Sequence, residues 1–398
     1  MSAIATSITL SPRPIPTELY SPLIPTKLLH TFNNLPNPIE YPHYTNKEHH
    51  NKWDYFAPED VWTSGFFPAT LYEMNKRREL CQNGNASGTV NWVELGRIAS
   101  TGLAELPGRN RRGHDVGFLS YPFLEEVEIN PSNETAVSIV NAFARDLANL
   151  YVSSAGVTRS WDRGNPSVVK VIIDNMMNID LLFTSAKLTG NQTLSTLAQT
   201  HADTTMKNHI RPDGSTWHVV EYDENTGAVL RRRTGQGYSD GSTWARGQTW
   251  AIYGFANMFE RTSKLVYLDT SRRLASYLLS NIPKDGIIPW DFSAPLVDTK
   301  VPGGLRPADS SAAMIGATGL LQLSEMETNA ELARKWLDGA IMILNKMTKV
   351  AWSARWDSLL SNGTVNWRAD NYLTGTVYGD YYFVKLGNEL VRLGYATC

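Results

Sequence analysis

The sequence predicts an all-α protein whose helices pair into hairpins and close into a ring. Three observations lead there. Apolar residues recur at three- and four-residue spacing through most of the chain, the period of a helix with one buried face. Strand-like alternation is confined to short pieces such as "STWHVVEYD" and "GAVLRRRT". Twelve helical segments can be counted, and twelve helices of ordinary length match an (α/α)6 barrel in number and total length. An open solenoid or a pair of bundles shares the periodicity, so the ring rests on the count.

The segments lie near 17–34, 59–76, 91–106, 119–129, 134–152, 168–188, 192–209, 242–262, 266–281, 307–324, 329–347 and 377–392. Residues 1–16 are expected to be extended or disordered. In the fifth segment, Val137, Val140, Phe143, Leu147, Leu150 and Tyr151 share one face. In the seventh, Leu194, Leu197, Ala198, His201 and Met206 do so. The eleventh opens on Thr328 and Glu331, a capping-box pair, followed by the stripe Leu332, Trp336, Ile341 and Leu344. A small β-hairpin is expected around "DENTG", Asp223 to Gly227. Long stretches at 35–58, 285–304 and 353–375 carry Pro, Gly, Trp and Asp, the composition of rim loops. Nothing marks an internal boundary, so residues 1–398 are expected to form one catalytic domain.

Composition excludes several classes. The net charge is −2 and basic residues are dispersed, so nucleic acid is not an expected partner. The run Arg231–Arg233 is too short for a binding tract and reads as a solvated turn. No apolar run approaches the ~20 residues of a membrane span. The start lacks a basic segment followed by an apolar one, and the two cysteines, Cys81 and Cys398, suit a reducing compartment without a disulfide framework. The expected location is therefore the cytoplasm. Four sequons, at Asn85, Asn133, Asn191 and Asn362, leave secretion open. Twelve tryptophans are about twice ordinary usage. Aromatic faces stack on sugar rings, although large cores also consume them. There is no HExxH motif, cysteine cluster, phosphate loop or GxSxG elbow, so no metal or cofactor is expected. Oligomeric state is not legible.

The run "VIIDNMMNIDLLF" places Asp174, Asn175, Asn178 and Asp180 in an otherwise buried segment. An unpaired carboxylate there is costly, so it is paired or kept for chemistry. Burial among Ile173, Met176 and Met177 raises the pKa of an aspartate, as a general acid requires. In "GHDVGFLSYPFLEE", His114 and Asp115 precede Gly117 and supply a second carboxylate. The plainer reading is that Asp115 caps a helix and Asp174 bonds to backbone amides. Further on stand His218, Gln236, Trp244, Arg246 and Trp250. Arg246 and Trp250 share a helical face, a pairing suited to a carboxylated sugar or to a structural cation–π contact. His218 alone reads equally as a structural histidine.

Nine stretches in order carry a resemblance: "WTSGFFPATLYE", "HDVGFLSYP", "RSWD", "VIIDNMMNIDLL", "RPDGSTWHVVEYD", "TGQGYSDGSTWARGQTWAIYGF", "IPWDFSAP", "RPADSSAAMIGATGLL" and "VYGDYYFVKLGNEL". Over about residues 59–392 the chain resembles the unsaturated glucuronyl hydrolases of glycoside hydrolase family 88. The resemblance implies an (α/α)6 barrel acting on anionic oligosaccharides that end in a 4,5-unsaturated uronic acid. It implies catalytic roles for Asp174 and Asp115, and substrate contacts at His218, Gln236, Arg246 and Trp250. Trp62, His114, Asn175, Trp161 and Trp244 are implied wall residues. The alternatives are an unsaturated rhamnogalacturonyl hydrolase of the same fold and chemistry, a sugar epimerase or isomerase using histidine bases, and a non-catalytic saccharide-binding barrel.

Overall fold

The computed structural model describes residues 14–46, 48–49, 52–81, 86–109, 113–161 and 164–398. The sequon at Asn85, Asp162 of "RSWD" and residues 1–13 lie outside them. In chain order the helices are α1 (Leu23–Asn33), α2 (Phe66–Leu80), α3 (Trp92–Ser100), α4 (Val116–Leu119), α5 (Tyr121–Ile129), α6 (Glu134–Ala148), α7 (Asn175–Asn178), α8 (Asp180–Thr189), α9 (Gln192–His209), α10 (Ala245–Thr262), α11 (Leu265–Asn281), α12 (Ser310–Glu325), α13 (Ala330–Ala351) and α14 (Val377–Arg392). α4 and α5 form one rod broken at Ser120, and α7 and α8 another broken at Ile179. Among the described residues twelve rods therefore stand where the periodicity predicts twelve.

Six rods form an inner ring in the order α2, α4–α5, α7–α8, α10, α12, α14, and α14 packs back on α2 to close it. Outside, α3, α6, α9 and α11 each lie against the two inner rods that adjoin them in sequence, and α13 lies against α12. α1 sits by the 353–358 loop, where its Lys27 ammonium donates to the carbonyls of Trp356 and Ser358 at 2.5 and 2.8 Å. This is an (α/α)6 barrel. Burial follows the layers. An inner rod has protein on every side, so Ser310 to Leu321 of α12 are buried without a break. Outer α13 buries only one stripe, including Trp336, Ile341 and Leu344.

Strands fill the rim: β1 (Tyr41–Thr45), β2 (Trp53–Phe56), β3 (Tyr151–Val152), β4 (Val157–Thr158), β5 (Val168–Ile172), β6 (Val219–Asp223) and β7 (Val229–Arg233). The expected hairpin is β6–β7, but β5 joins it as a third antiparallel strand with Val171 opposite Val220. The segment predicted as helix from 168 thus starts as a strand. "VVKVI" is β-branched with alternating burial, a period of two. The 35–58 loop likewise contains the β1–β2 pair. Arg231–Arg233 belong to β7 rather than a turn, with Arg233 Nε on Glu221 Oε1 at 2.6 Å. The cap of α13 is Asn329, not Thr328: its side chain accepts from Glu331 N and Leu332 N.

The two cysteines do not remain thiols. Cys81 and Cys398 form a disulfide across 317 residues, with Cα atoms 5.6 Å apart. The pairing was invisible in the sequence because only ring closure brings the chain end beside the C-terminus of α2. Closing so long a loop restricts the unfolded chain strongly, and such bonds contribute ~2–5 kcal/mol. Cys398→Ser should lower the denaturation midpoint accordingly, and reductant should shift the parent to the same value. Identical midpoints for parent and variant without reductant would contradict this.

Candidate active site

Two turns at one mouth of the ring carry the carboxylates. Asp174 follows β5 and leads into α7, while Asp115 ends the 3-10 turn Gly113–Asp115 and leads into α4. The turns meet where Gly117 faces Asn178. A Cβ on Gly117 would lie 2.6 Å from the Asn178 Cα, so only glycine permits the approach. Asn178 then bridges both turns: its Oδ1 accepts from Phe118 N at 2.9 Å and its Nδ2 donates to Asp174 O at 3.3 Å. On the other flank, Gly113 has φ +61° and packs on the Ser160 carbonyl, which accepts from His114 N at 3.1 Å. Ser160 Oγ accepts from Ile172 N at 2.9 Å and lies 2.7 Å from His114 Nδ1. The opposite ring nitrogen, Nε2, lies 3.1 Å from Asp115 Oδ1.

Asp174 is 6% exposed, and its Oδ2 has no hydrogen-bond partner among the described residues. Burial raises its pKa from 3.8 to about 6, with Asp115 adding to the rise and His114 and Arg246 opposing it. The influence of Asp115 and His114 ties both turns to one electrostatic environment.

The sheet sets His218 beside this pair. It precedes β6, and its carbonyl accepts from Ile173 N at 3.0 Å, one residue before Asp174. Its Nδ1 accepts from Gly235 N and Gln236 N at 3.1 and 3.3 Å. A nitrogen that accepts carries no proton, so the hydrogen of the neutral ring sits on Nε2, which has no partner among the described residues. Burial and the Arg246 charge hold His218 well below the usual histidine range, hence neutral. The ring stacks on Trp244 at 4.3 Å.

Arg246, in the first turn of α10, is 1% exposed and heavily committed. Nη1 donates to Asp309 Oδ2 at 2.9 Å and Thr364 O at 2.7 Å. Nη2 donates to Gln236 Oε1 at 2.8 Å and Val365 O at 2.9 Å. Among the described residues Nε has no partner. Trp244 and Tyr378 stand 4.5 and 5.3 Å from the guanidinium carbon.

No model of a protein family matches the sequence. An unsaturated glucuronyl hydrolase of Formosa agariphila is 35% identical over 83% of this chain and 80% of its own. The chain belongs to the unsaturated glucuronyl hydrolase family. A solved unsaturated glucuronyl hydrolase specific for heparin superimposes with a TM-score of 0.84 at 27% identity, covering 96% of this chain and 97% of that one. Another, carrying the saccharide dGlcA-Glc-Rha-Glc, gives 0.80 at 26% identity over 93% and 95%. As a member of this family the chain is a glycoside hydrolase acting on saccharide substrates, of the kind that release an unsaturated uronic acid from oligosaccharides.

Within this unsaturated glucuronyl hydrolase the expected site residues fall into two layers. Asp174, Asp115, His218, Gln236, Trp161 and Trp62 retain some exposure, and Trp161 lies 6.3 Å from the His114 ring. His114, Asn175, Trp244 and Arg246 are buried behind them; Asn175, for example, donates to Thr158 O at 2.8 Å. Trp250 departs from expectation. It is 0% exposed, packed with its ring 5.3 and 5.6 Å from those of Phe118 and Tyr382, and so lies in the core rather than at a surface a substrate can touch. The shared helical face with Arg246 is real, but one turn further along the rod is already core. Asp309 went unrecognised as a site residue. Its Oδ1 caps α12 by accepting from Ser311 N and Ala312 N while Oδ2 holds Arg246. "ADSSA" carries the cap signal; the ion pair needs the fold.

The raised pKa of Asp174 has a stability consequence. Between pH 3.8 and about 6 the folded protein keeps a proton that the unfolded chain has lost, so stability falls as pH rises through that window. Asp174→Asn removes the ionisation. Its stability advantage over the parent should grow by on the order of 3 kcal/mol from about pH 4 to about pH 7, read by denaturant unfolding. An advantage independent of pH would refute the burial argument.

Proposed function

We propose that Asp174 protonates C4 of the terminal unsaturated uronate and then directs water to C5. The nonreducing sugar is a vinyl ether, its C4=C5 bond conjugated with the carboxylate and the ring oxygen. Proton transfer to C4 leaves oxocarbenium character at C5 and O5. Water adds at C5 and surrenders a proton to the Asp174 carboxylate, restoring the acid. The resulting hemiketal opens and expels the remaining saccharide. This is hydration, not displacement at the anomeric carbon, so the carboxylate-spacing rule for retaining and inverting glycosidases does not apply. The supporting observation is the enclosed, unpartnered Oδ2 of Asp174, whose pKa of about 6 keeps a proton available near neutrality.

In this reading Asp115 tunes that pKa and binds sugar hydroxyls, and the Nε2–H of His218 donates to the substrate. Arg246 holds Gln236 and the 364–365 backbone in place and offers its remaining Nε–H, with its charge, to the uronate. The N-termini of α10, α12 and α14 lie at the same mouth and favour the anionic substrate. The whole chain works as one catalytic unit, since the ring is complete only when α14 meets α2. The disulfide favours maturation in an oxidising compartment over the cytoplasm expected from the chain start.

Asp174→Asn should reduce kcat by ~10²–10⁴-fold, followed through loss of the ultraviolet absorbance of the conjugated bond. In the parent, kcat/KM should decline as pH rises past about 6, because the acid is then ionised. Hydrolysis in ¹⁸O-water should label the C5 carbonyl oxygen of the released acid. Label at the anomeric carbon, or near-normal turnover of the variant, would overturn the assignment.

A further inference from the structure

The turn that carries Asp174 is held from outside the ring as well as from within it. On one side the Asn178 amide donates to the Asp174 carbonyl at 3.3 Å. On the other stands the neighbouring residue, Asn175, whose Nδ2 donates to the Thr158 carbonyl at 2.8 Å. The N–H of the same residue, Thr158, donates to Nδ1 of His201 at 3.0 Å. His201, Thr158 and Asn175, each 0% exposed, therefore join the outer rod α9 to the residue beside Asp174.

The face of α9 that meets the strands is polar. His201, Thr205 and His209 follow one another at four-residue spacing and are all 0% exposed. The buried stripe of an outer rod is ordinarily apolar, and an imidazole enters it at a cost unless it is hydrogen-bonded. Both rings are committed to strand backbone. His201 takes the N–H of Thr158 in β4, and His209 Nε2 donates to the Val171 carbonyl in β5 at 3.2 Å, three residues before Asp174. Burial lowers the pKa of His201 to about 3 and that of His209 to about 4, so both rings are neutral. In a neutral ring whose Nδ1 accepts, the hydrogen sits on Nε2, and only this tautomer of His201 serves Thr158. Without an acceptor at Nδ1, a buried amide is left unpaired and the peptide that anchors Asn175 is released.

We propose that His201 is a positioning residue for the reaction: through Thr158 and Asn175 it fixes the turn that aims the Asp174 carboxyl. The inference rests on the assignment of Asp174 as the proton donor. Failure of that assignment shows as near-normal turnover of Asp174→Asn, whereas failure of this one shows in variants that leave Asp174 intact.

The test compares two neutral replacements of His201. Asparagine places its amide oxygen where Nδ1 stands and keeps the acceptor; glutamine reaches to the position of Nε2 and loses it. His201→Gln should lower kcat about 10–100-fold, the loss that a small misplacement of a reacting group brings. Its KM should change by less than about twofold, because the substrate contacts remain. His201→Asn should keep kcat within about threefold of the parent. Asn175→Ala cuts the same connection at its other end and should lower kcat in the same way. Adding His201→Gln to it should cost little more, since residues that act through one path are not additive. Parental kcat in either His201→Gln or Asn175→Ala, equal losses in His201→Asn and His201→Gln, a loss confined to KM, or fully additive losses in the double variant would overturn the proposal.

Discussion

The site depends on one close approach, the backbone of Gly117 against Asn178. That contact lets the turn bearing Asp115 and the turn bearing Asp174 lie side by side, and the Asn178 amide locks them through Phe118 N and the Asp174 carbonyl. A side chain at 117 would separate the carboxylates before any chemistry began. The rods break at the same place: α4 gives way to α5 at Ser120 and α7 to α8 at Ile179. Each break turns the rod's first residues into a short, separately aimed piece, which allows an inner rod to present a carboxylate while its remainder stays in the ring.

Around this pair the fold arranges polarity along the ring axis. Arg246 joins α10 to the head of α12 through Asp309 and to the 364–365 backbone, so three separate parts of the chain are held by one guanidinium. Burial, helped by this charge, keeps His218 neutral, and the same charge tempers the rise in the Asp174 pKa. Desolvation still dominates at Asp174, holding its carboxyl at a raised pKa of about 6. The back of the ring is lined by tyrosines and by carboxylates that include Glu125, Asp180 and Glu389, paired with Lys76, Arg261 and Arg392. The packed rings of Phe66, Phe118, Trp250 and Tyr382 stand between the two ends.

Much of this was legible in the sequence. Three-and-four spacing sufficed for the twelve rods, and an aspartate inside "VIIDNMM" sufficed to mark a buried carboxylate. Features depending on long-range closure were not legible. The Cys81–Cys398 pair spans nearly the whole ring, and the Arg246–Asp309 pair joins residues 63 apart. β5 was taken for helix because a short apolar run carries no period that separates strand from helix, and its partner β6 lies some fifty residues on. The expected substrate contact at Trp250 fails because helical spacing reports a shared face, not depth along the rod. The exchange of cap from Thr328 to Asn329 reflects competition between two good capping residues, decided by where the chain enters α13.

The central claim is that the Asp174 carboxyl retains its proton close to neutrality because the fold has removed it from water. Carbon-13 NMR of protein labelled at the aspartate carboxyl carbons tests it directly, with the Asp174 signal identified by its absence from the Asn variant. The account predicts that this signal titrates with a midpoint of about 6. A midpoint at the ordinary value of 3.8 would contradict it.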